Sequence, residues 1–101
     1  MKISLYSPVH FEKWDWRNSV ERGIGGSETC HTEMAWRFAR RGHEVHSYAP
    51  IPDDCTDEWR AVKWHRLEDA TFDDEGLWIF FRSVNEINRL EKKPGQTWWL
   101  N

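Results

Sequence analysis

Hydrophobic positions along the chain fall into short runs separated by polar stretches, and the period of each run predicts its element. Lys2-Ile3-Ser4-Leu5-Tyr6-Ser7 is an apolar-rich run stopped by Pro8, as a buried strand is. From Val9 to Gly26 no period holds: Trp14, Trp16 and Asn18 stand among charges, and Gly23-Ile24-Gly25-Gly26 closes a long predicted loop with a glycine turn. Ser27 can then cap a helix running to Arg41. Glu28 suits its positive end, Arg40 and Arg41 suit the other, and Gly42 supplies the left-handed stop. Cys30, Met34 and Phe38 recur at i, i+4, i+8 with His31 and Ala35 beside them, so one face is apolar, and Ala35 and Ala39 let it lie close on a sheet. Trp36 falls on the other side, where the pattern gives it no role.

Glu44 to Ala49 reads as a second strand, ended by Pro50 and Pro52, and completes a strand-helix-strand unit with a right-handed crossover. Ala61 to His65 is a weaker third strand. Only about eleven residues lead to it, short for a parallel crossover, so an antiparallel edge is equally open. Glu68 to Glu75 is an acidic loop, and Leu77-Trp78-Ile79-Phe80-Phe81 is a continuous apolar strand of the kind buried on both faces. Ser83 and Glu86 make a capping box for a short helix with Val84, Ile87 and Leu90 on its buried stripe, until Pro94-Gly95. Thr97 to Leu100 begins a fifth strand. These elements predict a three-layer, doubly wound, Rossmann-like α/β sheet of about five strands, centred on the first and fourth, in one domain spanning 1–101.

Composition narrows the function. With 14 Lys+Arg against 17 Asp+Glu and no basic stripe, nucleic acid is not an expected partner. No apolar run reaches the roughly 20 residues of a membrane span, and the start lacks the pattern of a signal peptide, so a cytoplasmic protein is expected. Cys30 and Cys55 are too far apart for a thiol motif, and His43, His46 and His65 do not fall at metal-ligand spacing with any cysteine, so no metal is expected. The acidic residues of the loops lack the regular spacing of a calcium loop. Trp is in excess, at 8 of 101 residues, and calls for an aromatic core, a ligand surface or a partner.

A glycine-rich loop between a first strand and the following helix brings backbone N–H groups to an open helix terminus, where a phosphate or carboxylate binds. Gly25, Gly26 and Ser27 are placed to do this, and an ordinary tight connection is the alternative. A dinucleotide fingerprint fails, because Glu28 stands where the third glycine belongs and the second strand ends in Ala49-Pro50 rather than in an acid. A P-loop is excluded, since no G-K-[ST] occurs.

The opening Met1 to Pro8, the loop Gly23-Ile24-Gly25-Gly26-Ser27-Glu28, the helix with Glu33-Met34-Ala35-Trp36-Arg37-Phe38-Ala39, and Arg41-Gly42-His43-Glu44-Val45 together resemble the start of family 4 retaining glycosyltransferases of the GT-B type. The match is close over positions 1 to about 50 and looser beyond. The resemblance implies an acceptor-side N-terminal lobe facing a separate donor lobe, with a nucleotide-sugar as co-substrate and no further cofactor. It implies that Gly25 and Gly26, with Ser27 and Glu28 beside them, approach the donor's phosphate. The family's donor-side motif, two glutamates separated by seven residues, is absent, so the donor lobe is expected outside this stretch and no catalytic residue is assigned.

In the loop that the family places over the acceptor, Trp14 and Trp16 can stack on a sugar ring while Arg17 or Asn18 bonds its hydroxyls; covering the end of the sheet is the alternative for either ring. His10 and Arg82 follow the first and fourth strands at the carboxyl edge, where open α/β sheets bind ligands, or simply cap those strands. The other function class open to the chain is a noncatalytic binding or assembly module. Trp98, Trp99 and Leu100 put apolar side chains on both faces of the last strand, which predicts a homo-oligomer through residues 97–101.

Overall fold

The computed structural model describes residues 1–8, 13–21, 26–82 and 87–100, with the side chains of 19–21, 26 and 27 left aside. The strands are β1 (Lys2–Tyr6), β2 (Glu44–Ala49), β3 (Glu58–Trp59), β4 (Val62–Arg66), β5 (Gly76–Phe80) and β6 (Gln96–Leu100); the helices are α1 (Trp16–Glu21) and α2 (Gly26–Arg40). The chain is an α/β domain with a six-stranded mixed sheet in the order β3-β4-β2-β1-β5-β6. All neighbours are parallel except the antiparallel pair β3 and β4. Among the described residues no helix is long and apolar enough to cross a membrane.

Alternation along the central strands sends side chains to two different cores. Ile3, Leu5, Val45, Val62, Trp64 and Ile79 face α2, where Ala35 is completely buried, so the helix does approach the sheet through its small residue. Tyr6, Tyr48, Trp78 and Phe80 form the opposite core, covered by Leu67, Ala70, Phe72, Ile87, Leu90 and Trp98. Of the eight tryptophans, Trp14, Trp64 and Trp78 are buried in these cores, and Trp16, Trp36, Trp59 and Trp98 pack against them partly buried.

The third sequence strand is parallel to β2, with Val45 opposite Val62 and Ala49 opposite Arg66. The short connection suffices because the chain returns in extended form, as the two-residue strand β3, and then reverses at Arg60-Ala61 into β4. Extended chain covers about 3.3 Å per residue, more than twice the rise of a helix. This hairpin adds a sixth strand and shifts the centre of the sheet to β2 and β1, with β5 next to β1. Its two turn residues have φ of 51° and 64°, the left-handed values that a two-residue hairpin turn requires.

Two helix readings change. Trp16–Glu21, expected as loop, is helical because Asp15 and Asn18 cap it: the Asp15 carboxylate accepts from the Arg17 N–H at 2.8 Å, and Asn18 Oδ1 accepts from the Asp15 N–H at 3.0 Å. α2 starts at Gly26, which places Ser27 in its first turn instead of at its cap. The capping box expected at Ser83 and Glu86 lies outside the described residues, while Ile87 and Leu90 pack on the second core as expected. Trp36 also acquires a role: its Nε1 donates to Glu33 at 2.7 Å, and the guanidinium groups of Arg37 and Arg60 lie over its ring at 4.7 and 4.9 Å.

Candidate functional site

Parallel strands end together, and a ligand crevice opens where the sheet's order reverses, outside their carboxyl ends. Here that place is β1, which has β2 on one side and β5 on the other. The C-terminal end of α2 sits at the opposite edge, because Arg40 leads directly to His43 and Glu44, whose N–H donates to the Met1 carbonyl at 3.0 Å. The N-terminal end of α2 therefore lies at the carboxyl edge. A contact fixes it there: Ser7, just past β1, and His31, in the second turn of α2, share a hydrogen bond of 2.7 Å between Oγ and Nδ1.

The first turn of α2 presents the backbone of Gly26, Ser27 and Glu28, whose N–H groups have no partner within the helix and carry the positive end of its dipole. Glu28 is partly buried, and its carbonyl accepts from Thr32 Oγ1 at 3.0 Å. Gly25 lies outside the described residues. Gly26, Ser27 and Glu28 thus stand together, at the edge where the glycine turn was expected.

Beneath them His31 is enclosed by aromatic rings. Trp64 and Phe81 stack on it at 5.7 and 5.1 Å, and Trp14 meets it edge-on at 5.4 Å. Burial pushes its pKa down to about 3, so the ring is neutral at ordinary pH. Its Nε2, with the indole N–H groups of Trp14 and Trp64, finds no hydrogen-bond partner among the described residues. Sealed in this way, His31 holds α2 against β1 through Ser7 and is not presented to a substrate.

The residues expected around an acceptor divide. Trp14 is 2% exposed and belongs to the core, so the covering role falls to it. Trp16 is partly buried and stacks on Trp59, with centroids 4.9 Å apart and planes 4° apart. Asn18 is occupied in capping α1. Arg17 clamps the fully buried Asp15 carboxylate and reaches Asp54 at 2.9 Å; these bonds raise its pKa further and hold the Asp54 carboxyl below its usual range. Arg82 is exposed just after β5, at φ 51°. His10 lies outside the described residues. The structure brings Trp16 and Asn18 together on α1 but commits both to internal contacts.

Sequence reasoning missed the Asp15-Arg17-Asp54 network and the Ser7-His31 pair. Asp15 and Asn18 at cap spacing were a readable signal for the first. Nothing local could have paired Ser7 with a residue 24 positions on. A cavity of about 460 Å³ also opens beside β4, where Asp53, Asp57, Glu58 and Asp69 face Lys63 and Arg66, and Arg66 pairs with Asp53 at 3.2 Å. Among the described residues no group of three or more His, Cys, Asp or Glu side chains is placed to hold a metal ion. Comparison of the chain with known protein families, with characterised proteins and with solved structures finds no match.

Proposed function

We propose that this chain is the acceptor-side lobe of a sugar-transferring enzyme of the GT-B kind, a Rossmann-like unit that offers the first turn of α2 to the phosphate of a nucleotide-sugar bound by a donor lobe. The observation that carries this reading is the position of Gly26, Ser27 and Glu28 in the first turn of α2, at the carboxyl edge, beside the strand where the sheet's order reverses. Backbone N–H groups and helix dipole favour an anion there without any basic side chain. The resemblance of the stretch Gly23 to Glu28 to the family's phosphate-facing turn gives the anion its identity. Among the described acceptor candidates only Arg82 is exposed, and no residue is assigned a catalytic role.

The test is an amide titration by NMR. Millimolar phosphate and UDP are expected to shift the signals of Gly26 to Glu28, and uridine, lacking the anion, is expected to leave them in place. Signals that stay still with all three ligands contradict the reading.

A second reading, an assembly module without catalysis, is favoured by one observation. Trp99 and Leu100 on β6 are 49% and 60% exposed, and among the described residues β6 pairs only with β5. Such an edge can pair with a second copy.

A further inference from the structure

We propose that His46 and His65 form a clasp between β2 and β4 that accepts one proton as a unit and opens on taking a second, loosening the edge of the sheet that carries β3. His65 lies opposite Tyr48 in the register and stacks on it at 4.9 Å, so it shares a face with His46. His46 Nδ1 and His65 Nε2 are 2.9 Å apart, and His46 Nε2 is 2.6 Å from Glu44 Oε2. His46 is the middle member of a chain of three.

The chemistry of the groups fixes where the protons are. An ionised carboxylate only accepts, so His46 carries its proton on Nε2 and donates it to Glu44. The hydrogen bond from His46 is the main cause that holds the Glu44 carboxyl below its usual range, with Lys2 and Lys63 adding to it. Neutral His46 then has a bare Nδ1, which must accept, so His65 is the Nε2–H tautomer and donates. One proton lies in each contact.

A first added proton fits without breaking anything. It binds His65 at Nδ1, the proton on His65 Nε2 crosses to His46 Nδ1, and His46 becomes an imidazolium between Glu44 and a neutral His65. A second added proton leaves both facing nitrogens with an N–H, two donors and two positive rings in contact, and the clasp has to open. Charged groups around the pair act in the same sense or oppose it. Burial, then the neighbouring His46 charge, holds the His65 pKa below the ordinary imidazole value; Asp69 of the turn after β4 opposes this, Lys63 on β4 adds to it, and Asp57 of the loop before β3 opposes it. From β1, Lys2 lies 3.6 Å from Glu44 and 3.1 Å from Asp74, which precedes β5. Tyr48, beneath His65, is held neutral, its pKa raised by burial and then by Asp74 and Asp69.

Long-range ¹H–¹⁵N NMR of the imidazoles from pH 8 to 4.5 tests this on the unaltered chain. At pH 8 both rings are expected as Nε2–H tautomers. On acidification both are expected to move together through a first step, with a second step at least about one pH unit lower, as coupled sites require, accompanied by shifts of the 62–66 amides. In His46→Gln, His65 is expected to titrate in a single step. Independent single-site curves for the two rings, an Nδ1–H tautomer of His65 at pH 8, or two steps persisting in His46→Gln would each overturn the proposal.

Discussion

His31 is held neutral by the rings around it, and that cost appears in stability. Unfolded, the imidazole takes a proton near pH 6.5; folded, it refuses one until about pH 3. The folded pKa is the lower of the two, so stability is intact above pH 6.5 and drains away as the pH falls through the window between them. The slope expected is about 1.4 kcal/mol per pH unit. His31→Phe keeps the ring in its stack and removes the titration. Urea unfolding at pH 6 and pH 5 is expected to show a loss for the original chain larger by about 1 kcal/mol than for His31→Phe. Equal losses would mean that His31 is hydrated in the native state. Ala61, exposed at φ 64°, is the other residue-scale case. A non-glycine residue in that region costs about 1 kcal/mol or more, and glycine's extra unfolded-state entropy cancels only part of the relief. Ala61→Gly is expected to raise the melting temperature by a few degrees. A fall would show that the turn carries no strain at Ala61.

At the level of elements, β5 and β6 are locked by two contacts. Gly76, at φ 101°, lies so close to β1 that an added Cβ would meet the Lys2 carbonyl oxygen at 2.2 Å. Backbone cannot yield as a flexible side chain can, and Gly76→Ala is expected to destabilise by roughly 3 kcal/mol or more, read from the denaturant midpoint. A change below about 1 kcal/mol would contradict that packing. Gln96 is buried with its amide fully used: Nε2 donates to the carbonyls of Phe72 and Asp74, each at 2.9 Å, and Oε1 accepts from the Lys93 N–H and Trp98 Nε1. Gln96→Leu leaves those partners without a bond, and about 2 kcal/mol of loss is expected in the same assay.

Much of this level was readable in the sequence, because β1, α2, β2 and β5 announce themselves through hydrophobic period and stop signals. Two parts were not. The hairpin β3-β4 has no glycine or asparagine at its turn; Arg60 and Ala61 sit there because the Arg60 guanidinium rests between Trp36 and Trp59, at 4.9 and 4.8 Å, a contact made across the fold. α1 was obscured by Trp16 and the neighbouring Trp14, which suggested a ligand surface although the Asp15-Asn18 cap was in plain view. The candidate site was half legible. Local sequence marked the glycine turn, whereas the Ser7-His31 pair depends on how α2 lands on β1.

At the scale of the whole sheet, one edge is finished by a hairpin, and at the other β6 pairs, among the described residues, only with β5. Burying Trp99 and Leu100 would contribute about 2–3 kcal/mol per copy towards pairing of two copies along β6, beside the backbone hydrogen bonds of the edge. Sedimentation at micromolar concentration is expected to show a dimer that Trp99→Lys weakens. A monomer unaffected by the substitution would remove the assembly reading and leave the transferase reading untouched. That transferase reading places an anion at one helix end and leaves the cavity beside β4 out of the reaction. A crystal of the chain soaked with UDP tests it most directly. The account predicts a phosphate within hydrogen-bond distance of the Gly26, Ser27 and Glu28 N–H groups; a nucleotide found in the cavity lined by Asp53, Lys63 and Arg66, with the first turn of α2 empty, would contradict it.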